Sequence, residues 1–151
     1  MNIINPYDDI YFMKRAFQEA ETAYEKGEIP IGAVIVINNQ IISRAHNLTQ
    51  TLNDVTAHAE MQAITAAANY LGGKYLIDCT LYVTIEPCQM CAGALAWSQI
   101  SKIIYGARDE QRGCIAMGTK LHPKTVMIGG VMAEEASQLL KRFFIEKRNL
   151  N

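Results

Sequence analysis

Apolar positions along the chain switch between two spacings, and the switching predicts its elements. Met13, Ala16, Phe17, Ala20 and Ala23 recur three and four apart, which gives one apolar face of a helix. Asp8 or Asp9 can cap its start, and Gly27 with Pro30 closes it. Residues 32–37 are an unbroken apolar run of strand length, Asn38-Asn39 is a turn signal, and residues 41–45 return as the second arm of a hairpin. Residues 47–55 are polar and loop-like. Residues 56–69, rich in Ala, Glu, Gln and Met, predict a helix stopped by Gly72-Gly73. Residues 80–85 predict a strand, Pro87 suits the first position of a helix reaching about Trp97, and residues 102–105 predict another strand. Residues 108–123 read as irregular, 125–128 as a short fifth strand, and 133–147 as a closing helix with Ala136, Leu139, Leu140, Phe143 and Phe144 on one side. This order predicts an α/β sandwich with a mixed sheet.

Composition narrows the class. A chain of 151 residues, half of them apolar, predicts a single domain over 1–151 with a real core. The net charge of -1 supplies no strong field for nucleic acid, so an RNA partner would need a local basic patch. The stretch Met1–Asp9 has neither a basic start nor a sustained apolar run, so no signal peptide is expected. No segment reaches the roughly 20 apolar residues of a membrane span, which makes a soluble cytoplasmic protein the expectation. Of the four cysteines, Cys79 opens an apolar run and reads as core, and Cys114 sits in a Gly-flanked loop as a spare thiol. Cys88 and Cys91 form a C-x-x-C pair, which in a reducing compartment means metal binding or redox chemistry.

Two short motifs carry the chemistry: His58-Ala59-Glu60 and Pro87-Cys88-Gln89-Met90-Cys91. Cys88 and Cys91 lie on one face of a helix start, where free N–H groups favour the thiolate that zinc binds. With His58 they make three protein ligands and leave one tetrahedral position open, the mark of a catalytic zinc site. Glu60 is the candidate proton carrier. Residues two apart on a regular helix point to nearly opposite sides, so His58 and Glu60 can share a site only if the helix is entered end-on. His58 is therefore expected in the first turn, with Thr56 or Asp54 as cap. A lone C-x-x-C could instead be a redox pair or half of a structural zinc site completed by His46, Cys114 or His122, but none of these has motif spacing to the others. Glu60 alone would be a solvated helix residue, and His46 alone an ordinary polar contact. Together, H-x-E and P-C-x-x-C are the known signature of zinc nucleobase deaminases.

On these motifs, and on Ile29-Pro30-Ile31-Gly32-Ala33-Val34, His46-Asn47, the run from Thr80 to Cys88, Met90 to Ala94 and Gly106-Ala107-Arg108-Asp109, the chain resembles the bacterial tRNA-specific adenosine deaminases. The resemblance covers about residues 11–148. It implies a three-layer, cytidine deaminase-like α-β-α sandwich with a mixed five-stranded sheet, one Zn2+ per subunit, a homodimer, and hydrolytic conversion of the wobble adenosine of a tRNA anticodon loop to inosine. It implies that Asn47 hydrogen-bonds the flipped base, that Ile31 and Ile85 pack around it, and that Asp109 lies near the target nucleotide or its neighbour; the backbone around Ala59 and Cys88 is expected to orient the hydrated base. Lys141, Arg142, Lys147 and Arg148 are candidate RNA contacts, although a solvated helix face is the plainer reading of any one of them. Two segments depart from the family pattern. Glu110-Gln111-Arg112-Gly113 stands where a Lys-x-Gly pattern is expected, and residues 122–128 are short and lack an Asn-His pair. With Trp97, these departures keep open a deaminase of free guanine, cytosine or a nucleoside. A catalytically silent zinc-binding module is the other alternative, and Glu60 argues against it.

Overall fold

The computed structural model describes residues 5–150. The first four residues of the stretch expected to lack a signal peptide, and the last residue of the expected domain, lie outside the described residues. The elements run α1 (Asp9–Glu25), β1 (Gly32–Ile37), β2 (Gln40–His46), α2 (Ala59–Leu71), β3 (Thr80–Ile85), α3 (Gln89–Ser98), β4 (Lys102–Ala107), α4 (Cys114–Met117), β5 (Val126–Ile128) and α5 (Ala133–Asn149). The sheet has the order β2-β1-β3-β4-β5. β1 runs antiparallel to both its neighbours, while β3, β4 and β5 are parallel.

Local chemistry sets the first elements. Asp8 caps α1, its Oδ1 accepting the Tyr11 N–H at 2.8 Å. Asn38 and Asn39 both adopt left-handed φ, 49° and 61°, as a two-residue hairpin turn with the right twist requires. β1 is apolar throughout because both its faces are covered. Val34 and Val36 pack against Phe12, Met13 and Ala16 of α1, together with Tyr82 and Ile104. Ala33 and Ile35 face the other way, towards Ala59, Ala63 and Ala67 of α2 and Leu95 of α3. The layers are therefore helix, sheet, helix. Each large side chain buried this way contributes about 1.5–3 kcal/mol relative to exposure. At Gly32 an added Cβ would run into the Ala16 carbonyl, so α1 crosses the start of β1 in backbone contact.

Several boundaries differ from the sequence expectation. α2 begins at Ala59 and not at residue 56. Pro87 precedes the α3 cap, which is Cys88. Residues 108–123 contain α4, a single turn with no periodicity to read. α5 buries Ala136, Leu139 and Phe143, but leaves Phe144 exposed. No helix among the described residues is long and apolar enough to cross a membrane.

The topology brings four strand ends to one edge. Gly32 at the start of β1 pairs with His46 at the end of β2, and Ala33 pairs with Val83 near the end of β3. Ile85 in turn pairs with Ala107 at the end of β4. The loops and helix starts beyond this edge are where an open α/β sheet builds its site.

Candidate active site

The start of α2 is shaped by a turn just before it. Asp54 Oδ1 accepts both the Thr56 N–H at 2.8 Å and the Thr56 hydroxyl at 2.7 Å. This side-chain turn competes with helix and delays its start. His58 is consequently the N-cap, with extended backbone (φ -70°, ψ 157°) and no side-chain cap bond, and does not occupy the expected first helical turn. The departure removes the geometric objection raised by the two-residue spacing. His58 is not on the helical wheel, so its ring and the Glu60 carboxyl can line one cavity at the end of α2.

The start of α3 supplies the sulfurs. Cys88 is its N-cap, again extended, and Cys91 follows in the first turn. His58 Nδ1 lies 3.6 Å from Cys88 Sγ and 3.5 Å from Cys91 Sγ. The three ligand atoms lie within 4.8 Å of one another, the one such cluster among the described residues. Donation from the Cys91 thiol, opposed by burial and helped by His58, holds the Cys88 thiol down to about 4. Cys91 is pushed up because its proton serves Cys88 and because it is buried. Contact with Cys88 raises His58. Two thiol groups and one imidazole fit zinc, and three donors leave one tetrahedral position free. The other conceivable donors are engaged elsewhere. His46 bonds Glu19 at 2.9 Å and Lys26 at 3.0 Å, Cys114 lies 3.8 Å from a Glu86 oxygen, and His122 Nδ1 accepts the Lys124 N–H at 3.1 Å. Cys114 is buried and not a loop thiol, and burial pushes it up to about 11.

A narrow cavity of about 90 Å³ opens beside the cluster, lined by Ile29, Ile31, Asn47, Thr49, His58, Ala59 and Glu60. Burial pushes the Glu60 carboxyl up to about 7, against the pull of its own amide. Asn47 is buried, its N–H bonded to the Ile31 carbonyl at 3.1 Å and its Nδ2 donating to Thr49 Oγ1 at 3.4 Å. Of the residues expected around a base, Ile31, Asn47 and Ala59 reach this cavity. Ile85 lies behind its wall, packed with Ile31, Ala107 and Ala136. Asp109 is outside the lining, and its Oδ1 accepts the Gln111 and Arg112 N–H groups at 3.2 and 3.0 Å. On α5, Arg142 donates to the Tyr24 hydroxyl at 3.2 Å and Lys147 sits over the Phe143 ring, while Lys141 and Arg148 are exposed. Trp97 is 85% exposed and does not line the cavity.

Sequence reasoning missed Ile29 and Thr49 in the cavity wall and two buried carboxylates beside it. Glu28 is fully buried and accepts the Gln50 N–H at 3.0 Å and the Thr51 N–H and hydroxyl at 2.7 Å each. Burial works to raise its carboxyl, but the Thr51 hydroxyl, the two amides and nearby His46 outweigh it, and the net displacement is downward. Glu86 holds residues 108–115 in a similar way. The available signal was one acidic residue at the end of an apolar strand, or just before one.

The model of the cytidine and deoxycytidylate deaminase zinc-binding region matches residues 6–107. The tRNA-specific adenosine deaminase of Bacillus subtilis (strain 168) is 46% identical over 147 residues, covering 93% of this chain and 91% of that one. A solved structure from studies of A-to-I editing by tRNA:A34 deaminases at the wobble position superposes with a TM-score of 0.81 at 38% identity, covering 85% of this chain and 98% of that one. The guanine deaminase from Bacillus subtilis gives 0.65 at 39% identity, covering 78% and 72%. The sheet and its flanking helices are thus the cytidine deaminase-like arrangement, and His58, Cys88 and Cys91 are the candidate zinc ligands.

Proposed function

From the premise that this chain belongs to the family of the cytidine and deoxycytidylate deaminase zinc-binding region, we propose that it hydrolytically deaminates the wobble adenosine of tRNA to inosine. The observation that carries the reading is that His58, one of the three clustered donors, and the buried Glu60 carboxyl line one narrow cavity together with Asn47 and aliphatic side chains. A base must leave its stack to enter such a cavity, and an anticodon loop offers unstacked bases.

Zinc held by His58, Cys88 and Cys91 supplies, when bound, a Lewis acid that makes water nucleophilic at neutral pH. Glu60 takes the proton of the attacking water and delivers it to ring N1 as C6 is attacked. The same carboxyl then takes the proton of the hydroxyl now on C6 and passes it to the amine, so that C6 becomes a carbonyl and ammonia leaves. Burial suits it to both tasks, because a raised carboxyl accepts and returns a proton near neutrality. Asn47, steadied by Thr49, orients the base, and Ile31 and Ala59 exclude water around it. Ile85 supports Ile31 from behind, and Asp109 is assigned to the target nucleotide or its neighbour on the resemblance alone. We extend the reading to a cytoplasmic site of action, the expectation for an enzyme that meets its tRNA where translation uses it. We extend the reading to a homodimer, since Leu52 and Val55, 54% and 84% exposed in the loop before α2, offer apolar surface for a second copy.

The test is inosine formation in an anticodon stem-loop bearing a wobble adenosine, with free guanine, cytosine, cytidine and adenosine assayed in parallel for ammonia. Conversion of the stem-loop is expected. Turnover of a free base or nucleoside alone would move the protein to the metabolic branch of the family, and zinc binding without turnover of anything would make it a silent module.

A further inference from the structure

One segment beside the site is held by a charge that the reaction does not use. Residues 108–115 leave the end of β4 and fold back towards Cys88, with which Gly113 forms an isolated antiparallel bridge. The Cys114 N–H also bonds the Pro87 carbonyl at 2.9 Å. This segment therefore abuts the turn that delivers the first sulfur. What it wraps around is Glu86, the last residue before Pro87-Cys88, whose side chain is 0% exposed. Both carboxylate oxygens are engaged. Oε1 accepts the Asp109 N–H at 3.1 Å and Arg108 Nε–H at 3.4 Å, while Oε2 accepts the Ile115 N–H at 2.9 Å and the Cys114 thiol at 3.8 Å. Gly113 passes so close that an added Cβ would meet Glu86 Oε2 and the Asp109 carbonyl.

We propose that Glu86 is a positioning residue that clamps residues 108–115 against the metal-binding turn and so fixes the wall on which the RNA strand rests. The proposal rests on the tRNA reading above. The physical ground is the donor count. A buried carboxylate that satisfies two backbone amides and a guanidinium cannot be replaced by a neutral group of the same shape, because a carboxamide turns an N–H donor towards another N–H. The segment has no long helix or strand of its own to hold it, since α4 is four residues long. Arg108 is tied through Nε and its side chain stays half-exposed, which leaves its guanidinium within reach of a phosphate. The ligands and Glu60 belong to α2, α3 and their caps, so loosening this wall acts on how RNA is held more than on the chemistry of RNA once bound.

The experiment is steady-state kinetics on the anticodon stem-loop for Glu86→Gln and Gly113→Ala, with zinc measured per chain. The second variant strains the same contact from the other side and leaves the carboxylate in place. Both are expected to lose about tenfold in kcat/KM through KM, the scale of one charge-assisted anchor, with zinc content unchanged and kcat nearly so. In the unaltered protein the Asp109 and Ile115 amides should exchange slowly with solvent, and this measurement decides the matter if neither variant folds. Unchanged KM in a folded, zinc-loaded Glu86→Gln protein would overturn the proposal. So would a fall in kcat alone, loss of zinc, or fast exchange of those two amides. If the unaltered protein does not convert the stem-loop, it is the function reading that fails, and amide exchange still tests the clamp.

Discussion

Two segments flank the candidate zinc site, and each is pinned by a buried carboxylate, but they are pinned differently. Residues 47–51 hang on Glu28, whose partners are two amides and a hydroxyl at 2.7–3.0 Å, all contributed by Gln50 and Thr51. Residues 108–115 hang on Glu86 through longer bonds of 2.9–3.4 Å to nitrogen, one of them from an arginine whose side chain is 47% exposed. The first anchor is sealed inside the protein and supports the cavity wall that carries Asn47 and Thr49. The second reaches solvent and supports a rim. A sealed anchor resists salt and fails with acid, whereas an anchor with an exposed cation weakens as ions screen it.

What stands between the two walls should matter more than either. Glu60→Ala is expected to lower turnover by a thousandfold or more, roughly the upper range for general acid-base catalysis, with zinc content unchanged. Turnover near that of the parent would end the proton-carrier role. Next comes the sealed anchor. Glu28→Ala leaves two amides and a hydroxyl without their acceptor and should cost about 3 kcal/mol of stability in urea titrations. Its sign with pH follows from its lowered carboxyl: the contribution is full above the ordinary value of 4.5 and is lost as pH falls through the folded value. Glu28→Gln should therefore show a flatter stability profile below pH 4.5, and an unaltered slope would show that the anchor does not titrate with folding. The open anchor is expected to be weaker. Arg108→Gln should cost less than about 1 kcal/mol, and the difference should shrink as salt rises. An equal or larger loss than for Glu28→Ala would invert the comparison. Smallest of all, Thr49→Val keeps the shape of the wall and removes the 3.4 Å contact to Asn47, for a loss of about two- to fivefold in kcat/KM that Thr49→Ser restores.

Much of this arrangement was legible in the residues. β1 and β3 fall where the apolar runs put them, and the Asn38-Asn39 turn follows from two residues that tolerate left-handed backbone. The metal cluster was readable because a short motif fixes its own local geometry: Cys88 and Cys91 meet wherever a helix starts at that cap. Other features were hidden for identifiable reasons. Residues 56–58 have helical neighbours, yet Asp54 draws Thr56 into a turn and hands the cap to His58. α4 is too short for any period to show. Ile31 and Ile85 look alike in sequence, both aliphatic and both beside a strand end, but one lines the cavity and the other stands behind it.

The sequence by itself marked the strands, the helices other than α4, the three candidate zinc donors, and the carboxyl two residues from one of them. Each motif depends on spacing within a few residues, which backbone geometry converts directly into direction, although the fold had to carry His58 across 30 residues to Cys88. Only the tertiary structure decided which acidic residues are buried. Glu28 finds its donors 22 and 23 residues away, and Glu86 finds its own 22 to 29 residues away. A carboxylate stays inside a protein when distant backbone is folded so that its N–H groups converge on it, and no local pattern records that convergence.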